Sequence, residues 1–367
     1  MSKIPFDPAE ITNAEEITDA RGRVTRKFQT PITPKENYRM LYEKKVPYWI
    51  PISGDSIGLT PRIDPDNIAR CFAFEANNIT QEEMADIAIN GYKDKFGIEW
   101  LYVPTAGGSI VKPGAPTLAD ANEWKEIIQF PDVDSWDWEG TKASNADHVK
   151  GDKWITITIL TGFFERLISF MDFMPAAIAL IDEDQKAAVH ELFDALADVY
   201  IQMTDKFIDA YGINSLTLHD DWGSQRAPFF SCETASEMIV PYIKKVADYC
   251  HSRGVFFDLH SCGKNEMLVP AYIEAGIDSW SGQPMNDKQF IYDTYGDKLM
   301  LGMESGYVAV PGQPASAEEG IAVAKRFIEK YAPNYAEKRV LAGGGFGLPA
   351  EFTATLYEES RKAFADK

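Results

Sequence analysis

The chain has 367 residues, 45% hydrophobic and 12% aromatic, which is enough to bury a large core in one domain. Its 36 basic and 56 acidic residues leave a formal charge of −20, which repels nucleic acid and anionic membrane surfaces. Four scattered cysteines make no disulfide framework, no apolar run reaches the roughly 18 residues of a membrane span, and the first residues lack a signal peptide's basic-then-apolar layout, so a cytoplasmic protein is expected.

Residues 1–32 carry mixed charge with little apolar periodicity and read as an N-terminal arm. Thr33-Pro34-Lys35-Glu36 then supplies an N-cap, a proline at the first helical position and a glutamate at the third, so ordered structure is expected from there through 33–367. Short β-rich runs alternate with longer helical patterns, and eight strands are predicted at 47–52, 97–103, 154–160, 215–219, 255–260, 277–281, 299–303 and 339–342. Between the later ones, residues 232–253 place Ile239, Tyr242, Ile243, Val246 and Cys250 on one helical stripe, and residues 316–331 open on the capping pair Ser316 and Glu319. Parallel strands joined by crossover helices, eight of them closing on themselves, make a single α/β (β/α)8 TIM barrel. Residues 105–150, rich in Pro, Gly, Asp and Trp without periodicity, are expected to form a long loop excursion over one end of it.

Reactive groups in such barrels sit where strands end. The predicted strand 215–219 runs into Asp220-Asp221-Trp222-Gly223-Ser224-Gln225-Arg226, 255–260 into Ser261-Cys262-Gly263-Lys264, and 299–303 into Glu304-Ser305-Gly306. His260 and Cys262 carry the imidazole and thiolate that zinc prefers; the plain structural alternative is a hydrogen-bonded strand-end histidine beside a small buried cysteine. His219, Asp220 and Asp221 put three ionisable groups at one strand end, where each perturbs the titration of the others. Cys71, Cys232 and Cys250 have no such company and read as structural.

These motifs, with Ala275-Gly276-Ile277-Asp278, Leu301-Gly302-Met303-Glu304 and Gly345-Phe346-Gly347-Leu348-Pro349, give a chain that from about Thr33 onward resembles the uroporphyrinogen decarboxylase superfamily, which includes cobamide-dependent methyltransferases. The resemblance implies that His260 and Cys262 supply two zinc ligands, as the H-x-C pair does in the methyltransferase branch. That branch takes a further cysteine from the late glycine-rich region and the decarboxylases place a histidine there, whereas this chain has Phe346 at the closest position. A carboxylate is the expected replacement, Glu304 ahead of Asp221 or Glu165. The decarboxylases also gather arginines at an early strand end to hold a multiply anionic tetrapyrrole; here that stretch reads Pro51-Ile52-Ser53-Gly54-Asp55-Ser56.

The expected activity is methyl transfer from a small methylated donor to the cobalt of a corrinoid presented by a partner protein, with zinc or an acid activating the leaving group. Asp221 and His219 are the expected catalytic residues. Trp222, Phe163, Phe164 and Phe346 are expected to wall a pocket for a methoxylated aromatic, with Glu165 and Arg226 beside them. Methyl transfer from a methylcorrinoid to a thiol, a metal-free decarboxylase using Asp221, and a silent binding barrel are the alternatives. Asp258, His260 and Gly263 also fit the D-x-H-x-x-G pattern of cobalamin-binding domains, but no serine-bearing counterpart follows downstream. No motif addresses assembly, and a homodimer stays open.

Overall fold

The computed structural model describes residues 3–18, 24–52, 54–105, 107–114, 116–308, 315–343 and 347–365. Strand order in its seven-stranded sheet is chain order, the arrangement produced by repeated βα units. The chain divides into two compact units, one of Gly58–Lys150 and Ile155–Ile277, the other of Met1–Ile57, Gly151–Trp154 and Asp278–Lys367.

The first of these holds the strands Trp154–Ile159, Ser215–His219 and Phe256–Ser261, paired in parallel with Thr156 opposite Ser215 and Ser215 opposite Phe256. Their alternating apolar side chains, Ile155, Ile157, Ile159, Leu216, Leu218, Phe257 and Leu259, are buried, as period-two patterning requires. The helices between them include Phe163–Met171 and the 26-residue Lys186–Tyr211. The predicted helix over 232–253 breaks at Ile239 into Cys232–Met238 and Val240–Ser252, because Pro241 has no N–H to continue the ladder.

Residues 97–103 do form a strand, Glu99–Val103, but it lies outside the parallel sheet, in an antiparallel ribbon with Tyr92–Lys93 and Gly108–Val111. The expected excursion over 105–150 is therefore ordered: it starts with one strand of that ribbon and ends in the helix Trp138–Val149. Trp138 of that helix stacks edge-on against Phe207 at 5.6 Å.

The second unit carries the parallel strands Ser279–Gly282, Met300–Glu304 and Val340–Gly343. The capping boxes read at Thr33/Glu36 and Ser316/Glu319 are both formed. Residues 47–52 are not a strand. Side chains satisfy their backbone: Asn37 bonds the Tyr48 N–H at 2.8 Å and the Trp49 carbonyl at 2.9 Å, Ser360 takes the Ile50 N–H at 3.1 Å, and Asp55 takes the Ile52 N–H at 3.0 Å. Nor is the segment ahead of Thr33 without structure. It holds the helix Ala9–Thr12 and the hairpin Glu15–Thr18/Val24–Lys27, and buried Glu10 takes two bonds from Arg361 at 2.7 and 3.0 Å. That pairing spans 351 positions, which no local periodicity reports.

No helix among the described residues is long and apolar enough to cross a membrane. None of the four cysteines is in a disulfide.

Inside the first unit an ionic network is fully buried. Lys95 bridges Asp64 and Asp66 at 2.8 Å, and Arg166 reaches Asp94 at 2.5 Å and also pairs with Asp66. Replacing Arg166 by methionine nearly keeps the volume, leaves Asp94 buried without its cation and leaves Asp66 to share Lys95 with Asp64. Thermal unfolding of Arg166→Met is expected to show a loss of about 3–5 kcal/mol; a change under 1 kcal/mol would mean that the network is dispensable.

Candidate active site

The site grows from the carboxyl ends of three neighbouring strands in the first unit. His219 and His260 end adjacent parallel strands and are direct register partners, so their rings stack, with centroids 4.8 Å apart at 25°. The chain beyond each strand is tied to the other: Asp220 N–H donates to the His260 carbonyl at 3.0 Å, Trp222 N–H to Ser261 Oγ at 3.1 Å, and Cys262 N–H to Asp221 Oδ1 at 2.6 Å. Gly263, at φ +99°, permits this approach, since a Cβ there would lie 2.3 Å from the Gly223 backbone. That close packing accounts for the glycine of the D-x-H-x-x-G pattern without a bound corrinoid.

Asp220 faces away from the opening. It is fully buried and accepts N–H bonds from Phe164 at 3.1 Å, Glu165 at 2.9 Å and the Trp222 indole at 2.8 Å. It thereby caps the helix Phe163–Met171, whose own N-cap residue is Gly162 and offers no side chain. A Cβ on Gly162 would meet Asp220 at 2.4 Å, so glycine is required for the cap to reach the helix. Burial, and then the nearby Glu165 charge, push the Asp220 carboxyl up to about 7 against those three donors.

The cap sets Glu165 on the first turn, aimed at the histidines. Its Oε2 lies 2.7 Å from His219 Nδ1, and its Oε1 accepts from Arg70 Nη2 at 3.0 Å. Arg70 in turn donates to the Leu160 carbonyl and lies 5.0 Å over the Trp100 ring. Burial opposes ionisation of Glu165, but Arg70 and His219 outweigh it and hold the carboxyl down at about 2. Burial likewise opposes protonation of His219, and Glu165 overrides it, so the imidazole titrates above its ordinary value. Burial and Asp221 push the Cys262 thiol up to about 12.

One donor atom each from His219, Asp221, His260 and Cys262 all lie within 4.8 Å of one another. Cys262 Sγ and His260 Nε2 are 3.5 Å apart, inside the roughly 3.3–3.8 Å that separates ligand atoms around tetrahedral zinc. With Nδ1 engaged by Glu165, His219 has Nε2 for a metal, the arrangement that fixes a metal-binding histidine's tautomer. Two imidazoles, a thiol and a carboxylate suit zinc.

A cavity of about 640 Å³ opens beside these groups, with Asp221 and Glu165 in its wall. The rest of the wall comes from Trp100, Ile110 and Val111 of the antiparallel ribbon and from Ile168, Asp172, Phe173, Met174 and Phe229.

Several expected site residues fall elsewhere. Trp222, Phe163 and Phe164 are fully buried core, Trp222 against Phe230 and Tyr272, Phe163 against Phe193 and Tyr200, and none lines the cavity. Arg226 is exposed on a turn. Glu304 is not among the four donors; Lys288 pairs with it and donates to the Gly302 carbonyl at 2.9 Å. Phe346 lies outside the described residues. Arg70, Trp100 and Asp172 went unread in the sequence because they sit at a helix end, in a ribbon and between two helices, where no strand-end rule points to them.

Glu165 generates a pH test. Its pKa of about 2 lies below the roughly 4.3 of a free glutamate, so its contribution to stability is full above that value and fades as pH falls towards 2. Denaturant unfolding of metal-free protein should put Glu165→Gln on the order of 2 kcal/mol below the parent at pH 7, with the gap closing between pH 4 and pH 2. A gap independent of pH would remove the ionic role.

No curated protein matches this chain significantly. Similar solved structures include a sugar phosphate isomerase/epimerase from Parabacteroides distasonis, 9% identical over 65% of this chain and 80% of that one, with a TM-score of 0.29. Others are 2,3-dimethylmalate lyase, of the PEP mutase/isocitrate lyase superfamily, at 11% identity over 86% and 82% with a TM-score of 0.31, and D-psicose 3-epimerase, at 13% over 67% and 85% with a TM-score of 0.31. Scores this low say nothing about chemistry. Residues 150–319, which include His219, Asp221, His260 and Cys262, match the model of the uroporphyrinogen decarboxylase (URO-D) family. Over that stretch, just under half of its length, the chain is similar to the uroporphyrinogen decarboxylase family, and its parallel strands in chain order fit a TIM-barrel fold.

Proposed function

We propose that the chain is a zinc-dependent methyltransferase that passes a methyl group between a small methylated compound and the cobalt of a corrinoid carried by a separate protein. The observation that carries this reading is the convergence of His219, Asp221, His260 and Cys262 within 4.8 Å, beside a largely apolar cavity. Zinc held by those four side chains would supply a Lewis acid for any heteroatom with a lone pair that loses or gains the methyl group, such as an ether oxygen or a thiol sulfur. Glu165 holds His219 in one tautomer, and Arg70 holds Glu165 in turn. Asp221, in the cavity wall, is the group of the four that meets the substrate. The apolar wall excludes water and disfavours a compound that carries several charges to desolvate.

Decarboxylation of a multiply anionic tetrapyrrole fits less well. None of the described residues lining the cavity is basic, and Arg70 is already paired with Glu165. Methyl transfer to a thiol would employ the same four donors and differs only in the acceptor.

Protein purified without chelator is expected to carry near-stoichiometric zinc by mass spectrometry, with a His260→Ala, Cys262→Ala double variant carrying none. The zinc-loaded chain given reduced cobalamin and a panel of methylated ethers, amines and thioethers should change the corrinoid absorbance at a rate that the double variant lowers by roughly a hundredfold or more. Absence of metal after zinc supplementation, with turnover unaffected by the substitutions, would overturn the zinc reading.

A further inference from the structure

The cavity wall carries an imbalance of charge that bears on its ligand. Its ionisable lining residues among those described are Glu165, Asp172 and Asp221, all acidic. Glu165 is answered by Arg70 at 3.0 Å. In the zinc form proposed above, the Asp221 carboxylate and the Cys262 thiolate would together answer the two charges of the metal. Asp172 is left over.

Nothing structural explains an aspartate at that position. Residue 172 lies between the helices Phe163–Met171 and Phe173–Ala179, at φ +66° and ψ 166°, a conformation that strongly favours glycine. It occupies the N-cap position of the second helix, yet its side chain caps nothing, and its carboxylate makes no hydrogen bond or ion pair with any described residue. The half-buried side chain faces a cavity whose wall includes the rings of Trp100, Phe173 and Phe229 and the thioether of Met174. An unanswered carboxylate within an aromatic and thioether wall is the environment in which alkylated ammonium and sulfonium groups are held, by charge and by cation–π contact.

We propose that the cavity takes a methylated organic monocation, an ammonium or sulfonium compound, with Asp172 as its counter-ion and Trp100, Phe173 and Phe229 around its methyl groups. The ligand's part as methyl donor rests on the methyl-transfer reading above; its binding does not. For an ammonium donor, the C–N bond would break with its electron pair remaining on nitrogen, and the methyl group would pass to the reduced corrinoid as nucleophile. The amine then leaves neutral and needs neither a proton nor a Lewis acid at its nitrogen, which in the donor is already positively charged and has no lone pair to give a metal. This replaces the methoxylated aromatic expected from Trp222, Phe163 and Phe164, which are core residues.

Calorimetric titration of the zinc-loaded full chain with choline and with its uncharged isostere 3,3-dimethyl-1-butanol separates charge from shape. Choline is expected to bind about tenfold or more tightly than the alcohol, and Asp172→Asn should remove that preference. Asp172→Gly keeps the test independent of folding: it should be at least as stable as the parent, since glycine suits the backbone, and should also lose the preference. Equal binding of the two probes, no binding of choline, or a preference that survives both substitutions would overturn the cation assignment, while leaving methyl transfer to be judged by the corrinoid absorbance. Asp172-dependent choline binding, in a chain that transfers methyl neither from the panel nor from choline or a trialkylsulfonium compound, would sustain the ligand class and overturn the reaction.

Discussion

The arrangement of the site depends on a buried pairing of Arg166 with Asp66 and Asp94. The side chains of its members Asp64, Asp66, Asp94, Lys95 and Arg166 have no solvent exposure, so each charge must be met by another within the protein. Three carboxylates face two cations. Burial pushes Asp64 up to about 6 despite Lys95, whereas Arg166 and Lys95 outweigh burial at Asp66 and hold it far down. Burying this many charges is a costly way to fill a core, and its return is geometric. Arg166 lies on the helix Phe163–Met171, one residue after Glu165, so fixing the first on the core side fixes the second towards the histidines. The same Asp94 accepts the Trp100 indole N–H at 2.9 Å, which holds the antiparallel ribbon as a wall of the cavity.

A second constraint is strand register. Parallel pairing places His219 opposite His260, and the tie from Cys262 N–H to Asp221 then brings a thiol and a carboxylate to the same pair of rings. Four donors from two strand ends converge with no long loop to order, so little conformational entropy opposes their assembly. Without a metal, both groups hold their protons more tightly than usual: burial and Glu165 raise the Asp221 carboxyl against its hydrogen bonds with Cys262, and burial and Asp221 push the Cys262 thiol up to about 12. A cation placed between them would reverse that relation, since it stabilises both deprotonated forms.

How much of this was legible in the sequence follows from the range of the interactions. Six predicted strands fall in the parallel sheet, because buried parallel strands announce themselves as short apolar runs between helical patterns. The two failures, 47–52 and 97–103, are equally apolar; one is satisfied by the side chains of Asn37, Asp55 and Ser360, the other by a local ribbon, and neither partner is visible in composition. His219, Asp221, His260 and Cys262 were legible because the carboxyl ends of barrel strands are where reactive groups gather. Trp222, Phe163 and Phe164 were misplaced because an aromatic beside a strand end packs inward or lines a pocket with the same sequence signature. The lysine that pairs with Glu304 sits sixteen positions earlier, on a helix with no pattern linking the two.

The pair Asp220-Asp221 shows why residue type alone does not assign a role. Successive side chains leaving a strand point to opposite sides. Asp220 therefore enters the protein, where three N–H groups at and near a helix start take up its oxygens. Asp221 turns to the opening, with its side chain 29% exposed and one oxygen 3.9 Å from His219 Nε2. Exchanging their environments would ruin both functions: a carboxylate in the cavity cannot cap the helix that aims Glu165, and a carboxylate under the helix cannot reach a metal. The capping residue is as necessary to the site as the donor beside it, although it touches neither the cavity nor the histidine rings.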